Sequence, residues 1–137
     1  MGTPMTDLAP AAPCPCGSGA AYLACCGRYH AGPLHLQAPD PQALMRSRYS
    51  AFVLDLRDYL LATWHPDHRP TCIEAPEPGL RWLGLQVKHS AMHGPDRGEV
   101  GFVARSKLGG RAHRLAERSE FVREGGRWFY TCALDAD

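Results

Sequence analysis

Beyond residue 80 the hydrophobic period of this chain changes, and it stays changed. Before that point apolar residues recur at helical spacing; after it they alternate as strands require. Leu83, Leu85 and Val87 alternate with Trp82, Gly84, Gln86 and Lys88, the pattern of a two-faced strand. Residues 94–98 (GPDRG) are turn material, and EVGFVARSKL follows as a second strand. Gly109-Gly110 and Gly125-Gly126 make two more turns, into RAHRLAERSEFVRE and then RWFYTCAL. Four strand-like runs joined in order by three turns predict an antiparallel meander. A helical segment that precedes all four makes the fold α+β, with the helical face packed on one side of a four-stranded sheet.

The helical segment has a clear start. Asp40 supplies an N-cap acceptor and Pro41 the favoured first helical residue. From there Leu44, Met45, Tyr49, Phe52, Val53, Leu56, Tyr59 and Leu60 recur on one face. Asp55 is placed to cap a fresh helix through DLRDYLLATW. His65 before Pro66 ends it, because the residue preceding proline avoids helical geometry.

Four of the six cysteines fall at Cys14, Cys16, Cys25 and Cys26. The N-terminus has neither the basic nor the apolar region of a secretory signal, so the expected location is the cytoplasm, where clustered thiols bind metal rather than form disulfides. Four soft ligands suit a tetrahedral zinc ion and leave no position open for water, which makes such a site structural. Gly17 and Gly19 allow a tight turn after Cys16, and residues 20–24 can form a helical turn that returns Cys25 and Cys26 to the first pair. His30 is the alternative to Cys26 as fourth ligand. So short a segment cannot bury enough surface to fold alone, and metal binding would supply its folding energy. The expected organisation is a flexible segment at 1–13, a zinc knuckle at 14–30, a proline-rich linker at 31–41 and the α+β domain at 42–137.

With 45% hydrophobic and 21% charged residues and a net charge of +1, the composition is that of a globular protein without a bulk-charge partner. No apolar run reaches the roughly 20 residues of a membrane span. Phosphate-binding and nucleophile-elbow glycine motifs are absent. His89, His93 and His113 fit surface positions better than a second metal site, and Cys72 and Cys132 fit small packing positions.

Cys-Pro-Cys-Gly-Ser-Gly, then Tyr22, then Cys25-Cys26-Gly27 resembles the SEC-C motif found at the C-terminus of the SecA translocation ATPase and elsewhere. In the SecA form histidine directly follows the third cysteine, where this chain has Cys26, and Ala20 and Ala21 replace the usual lysines. The resemblance continues through residues 44–52 (LMRSRYSAF), Thr63-Trp64-His65-Pro66, Trp82-Leu83-Gly84-Leu85, Glu117-Arg118-Ser119 and Trp128-Phe129-Tyr130, which look like the YchJ family of small bacterial proteins. That resemblance implies helices packed into a curved sheet, the cystatin-like cone of nuclear transport factor 2 and its relatives. It implies no established reaction.

Residues suited to a pocket in such a cone are Arg48, Tyr49, Trp64, His65, Glu117 and Trp128. Each has a plain structural role as well: an Arg48–Glu117 ion pair joining helix to sheet, aromatic packing for Tyr49, Trp64 and Trp128, and helix capping for His65. Two functions follow. One is an interaction protein whose knuckle docks on a protein, because the basic and aromatic residues a nucleic-acid surface would need, Tyr22, Arg28 and Tyr29, are few, with pairing of two copies through the sheet face. The other is a small isomerase, dehydratase or hydrolase using His65 and Tyr49. Whether His65, Tyr49, Arg48 and Glu117 line one open cavity decides between them.

Overall fold

The structure is a computed structural model and describes residues 12–136. Most of the segment expected to be flexible, residues 1–11, lies outside the described residues. A 3-10 turn at Tyr22–Ala24 leads into a single-turn helix α1 (Gly27–His30), followed by α2 (Pro41–Leu54) and α3 (Arg57–Ala62). Four strands complete the chain: β1 (Arg81–Met92), β2 (Arg97–Leu108), β3 (Arg111–Glu124) and β4 (Arg127–Ala136). They form one antiparallel sheet in the order β1-β2-β3-β4. The α+β meander expected from the sequence is the observed fold.

α2 begins where the sequence places it. The Asp40 carboxylate accepts from the Ala43 amide at 2.7 Å, with Pro41 in the first turn. Asp55 plays a different part from the one expected. It adopts a left-handed conformation (φ 58°) and terminates α2, where its short polar side chain tolerates that geometry and meets Arg57 at 2.9 Å. α3 starts after Leu56, with no side-chain cap. The short α3 ends at Thr63, and its final carbonyls are met by the Thr63 backbone and hydroxyl. His65 therefore does not cap it: the His65 amide donates to the Tyr130 carbonyl, tying the segment after α3 to β4.

The sheet is bent by its outer strands. Register shifts fall between Trp82 and Gly84 and between Val87 and His89 on the β1 side, and at two points in the β3–β4 pairing. Each inserts a residue and increases local twist, so both edges curl toward the helices. The first bulge also corrects the expected faces of β1. Trp82 turns inward, edge-on to Tyr49 with ring centroids 5.6 Å apart, while Leu83 is 51% exposed. Leu85 and Val87 do pack on the core.

That core joins Leu44, Met45, Tyr49 and Leu60 from the helices to Val100, Phe102 and Phe121 from the sheet. Full burial of such side chains contributes about 1.5–3 kcal/mol each. Cys14, Cys16, Tyr22, Cys26 and Tyr29 belong to the same cluster, so the cysteine-rich segment packs as part of the core. Among the described residues, no helix is long and apolar enough to cross a membrane.

On the outer sheet face Glu99 is buried and accepts hydrogen bonds from His89 Nε2 (3.0 Å), His93 Nε2 (2.9 Å) and Arg118 Nη1 (3.0 Å). Gly101 makes room for this, since a Cβ there would collide with the His89 ring. The two histidines serve as donors to a carboxylate shared with a guanidinium. His89, His93 and then Arg118 hold the Glu99 carboxyl down at about 2, against an ordinary value of 4.5. A depressed carboxylate contributes stability above its unfolded value, and that contribution disappears as pH falls from 4.5 toward 2. Urea midpoints measured at about pH 5 and about pH 3 should fall further for the native chain than for Glu99→Gln. Equal falls would show that the cluster adds nothing to stability.

Candidate metal centre and the cone cavity

The cysteine loop is built by short-range backbone bonds. The Gly17 amide donates to the Cys14 carbonyl at 3.2 Å, and the Cys14 amide to the Ala20 carbonyl at 2.9 Å. Gly17 and Gly19 have positive φ (79° and 90°), the conformation for which glycine carries no steric cost. An antiparallel bridge between Pro13 and Ala21 closes the loop. The 3-10 turn and α1 then bring Cys25 and Cys26 against the first pair. Gly27 is required at this return, because a Cβ would lie 2.8 Å from the Tyr22 carbonyl oxygen.

The four sulfurs lie within 4.8 Å of one another; three of the four residues are buried, and all are free thiols. Cys16 Sγ and Cys25 Sγ are 3.6 Å apart, close to the edge of about 3.8 Å that metal–sulfur bonds of ~2.3 Å give a tetrahedron. Hydrogen bonding with Cys14 and then Cys26 pulls the Cys16 thiol far below its usual range. The same contacts push Cys26 up, Cys14 acting first and Cys16 second, and Cys16 pushes Cys14 up. A bound cation would favour the thiolate form of all four. The residues fit a metal ion.

Hydroxyls approach two of these sulfurs, Ser18 Oγ at 3.1 Å from Cys25 Sγ and Ser50 Oγ at 3.5 Å from Cys14 Sγ. Ser50 is on α2, and so is Arg46, whose Nη1 donates to the Cys16 carbonyl at 3.0 Å. His30 is taken up elsewhere. Its Nε2–H donates to the Ser47 carbonyl (2.8 Å), which leaves Nδ1 to accept from the Tyr22 hydroxyl (2.6 Å). Burial pushes its pKa down and keeps the ring neutral. Both nitrogens being used, His30 is a strut between knuckle and α2 in this structure.

On the other side of α2, the curled sheet encloses a cavity of about 340 Å³. Arg48, Tyr49, Trp64 and Glu117 line it. His65 and Trp128 do not. His65 Nε2 is 2.9 Å from Glu124, and its Nδ1 accepts from the Asp67 amide, while Trp128 donates to the Pro39 carbonyl. The expected Arg48–Glu117 ion pair is also absent, because each has another partner. Arg48 Nη1 donates to the Leu60 carbonyl (2.8 Å) and Thr63 Oγ1 (2.7 Å), while Glu117 accepts from Ser119 Oγ (2.8 Å). Cys72 is exposed beside a separate groove rather than packed, and Cys132 is half-buried.

Sequence reasoning did not single out Ser47, Ser50 or Arg46. A usable signal existed: Ser47 and Ser50 lie three apart on a helix with an apolar face, where buried small hydroxyls mark close approach of another layer.

Comparison with known proteins agrees with this geometry. Residues 40–133 match the family model described as YchJ, middle NTF2-like domain, and residues 12–28 match the SEC-C motif. A UPF0225 protein of Methylibium petroleiphilum is 67% identical over 118 residues, covering 86% of this chain and 85% of the relative. One from Bordetella parapertussis is 58% identical, over 87% and 90%. The solution structure of a SEC-C motif containing protein from Rhodopseudomonas palustris superposes with a TM-score of 0.77 at 34% identity, covering 91% of this chain and 99% of that one. A crystal structure of a SEC-C motif containing protein from Psychrobacter arcticus, 24% identical, shares the fold with a TM-score of 0.71, over 89% and 81%.

The roles of His30 and Cys26 separate experimentally. His30→Ala should keep a full equivalent of bound metal while losing about 1–3 kcal/mol of stability, because it strands the Tyr22 hydroxyl and the Ser47 carbonyl. Cys26→Ser should lose metal. Metal loss in His30→Ala with retention in Cys26→Ser would reverse the assignment. With a SEC-C motif packed against an NTF2-like cone and relatives alike over most of their length, the chain belongs to the YchJ (UPF0225) family.

Proposed function

We propose that this chain is a zinc-stapled interaction protein. In this reading Cys14, Cys16, Cys25 and Cys26 hold one structural zinc ion, and the outward side of the knuckle docks on a protein partner. The observation that carries the reading is the convergence of four cysteine sulfurs within 4.8 Å of one another. Thiolates favour zinc over hard cations such as magnesium and calcium, and four of them close the coordination sphere. Zinc would then supply folding energy and no reaction step. A site of this kind keeps its metal where cysteines stay reduced, which supports the cytoplasm as its location.

The inner side of the knuckle is consumed by α2, leaving the outer side for a partner. Leu23 of the knuckle is 56% exposed, and the exposed Arg28 holds its own place by donating Nε–H to the Cys25 carbonyl. A near-neutral chain with few basic groups on this face favours a protein over a nucleic acid. Pairing of two copies through the sheet face belongs to the same proposal; the hydrogen-bonded His89, His93, Glu99 and Arg118 on that face would make it a polar contact. The enzyme reading loses His65 as its base, since the cavity is lined by Tyr49, Arg48 and Glu117 but not by His65.

Metal analysis of protein purified without added metal should give one zinc per chain. Less than about half an equivalent, with all four thiols free, or thiolate-to-iron absorption in the visible, would contradict the zinc assignment. Affinity capture from the native host, compared between the native chain and a zinc-loaded Leu23→Glu variant, tests the docking face. The variant should lose a protein that the native chain retains, and equal capture would contradict the assignment.

A further inference from the structure

Burying a guanidinium costs several kcal/mol unless charge and hydrogen-bonding capacity are both met. Arg48 is 6% exposed and has no carboxylate within ion-pair distance among the described residues. One of its nitrogens, Nη1, is satisfied by the Leu60 carbonyl and Thr63. Its carbon Cζ lies 4.6 Å from the centre of the Tyr130 ring and 5.4 Å from that of Trp64, and these faces offset part of the desolvation. Burial lowers its pKa to about 10, so it stays charged at neutral pH. Among the described residues, no hydrogen bond uses Nε or Nη2 of this residue, which lines the cavity. A buried cation with two spare donors at a cavity wall exceeds what holding α2 to α3 requires.

Glu117 lines the same cavity as Arg48, beyond ion-pair distance from it, and its carboxylate accepts from Ser119. The rest of the lining is largely aromatic, with Tyr49, Phe52, Trp82 and Phe121 among it. The volume, about 340 Å³, is at the small end of ligand pockets and suits roughly a dozen non-hydrogen atoms. A lone anion would meet Glu117 as well as Arg48, so complementarity asks for a ligand that carries a donor beside its carboxylate.

We propose that the cone binds a small aromatic carboxylic acid bearing an amino or hydroxyl group, with the carboxylate on the spare Arg48 donors, the amino or hydroxyl group on Glu117, and the ring among the aromatic walls. Bidentate recognition of a carboxylate by a guanidinium fork gives both strength and orientation. This assignment is independent of the knuckle, and it requires no chemical step.

The three tryptophans provide the readout. Trp64 and Trp82 line the cavity, whereas Trp128 donates to the Pro39 carbonyl outside it. Titrating the metal-loaded full chain with L-phenylalanine or 3-phenyllactate, followed by the indole N–H signals in NMR, should move Trp64 and Trp82 saturably and leave Trp128 in place. 3-Phenylpropionate, which lacks the donor, and phenethylamine, which lacks the carboxylate, should each bind at least about tenfold more weakly. Arg48→Lys and Glu117→Gln should weaken phenylalanine or phenyllactate by a similar factor, about tenfold or more. Should Arg48→Lys fail to fold, Ala104→Leu, which adds bulk at a residue lining the cavity, should abolish the shifts while the Trp128 signal stays native. No saturable shift up to about 10 mM of either acid, equal movement of all three indoles, or binding untouched by these substitutions would overturn the proposal.

Discussion

Helix α2 is buried on two sides, and the rest of the structure depends on that. An ordinary surface helix keeps one face in water. Here Leu44, Met45, Ser47, Arg48, Tyr49, Ser50 and Ala51 are all buried. The side bearing Ser47 and Ser50 meets the cysteine knuckle; the side bearing Met45, Arg48 and Tyr49 meets the curled sheet. Small hydroxyls allow the close approach on the first side, and each finds a partner, Ser50 at Cys14 and Ser47 at Tyr59. The helix is a wall common to a metal centre and a cavity.

This arrangement explains how a loop of about fifteen residues can be ordered at all. It has too little surface to fold alone, but it gains the Arg46 and His30 hydrogen bonds to and from α2, and a metal ion bound by its cysteines would add to them. The dependence also runs the other way. Tyr22, Tyr29 and the buried cysteines are part of the core on which α2 rests. Metal at the knuckle is therefore expected to stabilise the wall that carries Arg48, although the two sites share no ligand.

The sequence revealed the order of elements and the cysteine set because both are local signals: a change of hydrophobic period, glycine pairs at turns, an Asp-Pro helix start. Its failures share a different cause. Leu83 and Trp82 exchanged faces because one inserted residue reverses the alternation, and no composition rule marks a bulge. Asp55 was expected to open a helix and instead closes one, since a short acidic side chain suits either end. Arg48, Glu117 and His65 share a chemical character that suits one site, but each has a different partner: the Leu60 carbonyl of the next helix and Thr63 at its end for Arg48, Ser119 two residues along β3 for Glu117, and the distant Glu124 for His65. The Glu99 cluster went unnoticed because it joins β1, the turn after it, β2 and β3, with no spacing in the chain to signal it.

The central claim, that the knuckle and α2 form one cooperative unit held by metal, is tested most directly by amide hydrogen exchange before and after removal of metal with a strong chelator. Coupling predicts that Arg46 to Ala51 lose protection together with Cys14 to His30, while the β2–β3 pairing is less affected. Unchanged protection in α2 after the knuckle has lost its metal and its own protection would contradict the claim, as would a chelator that changes nothing.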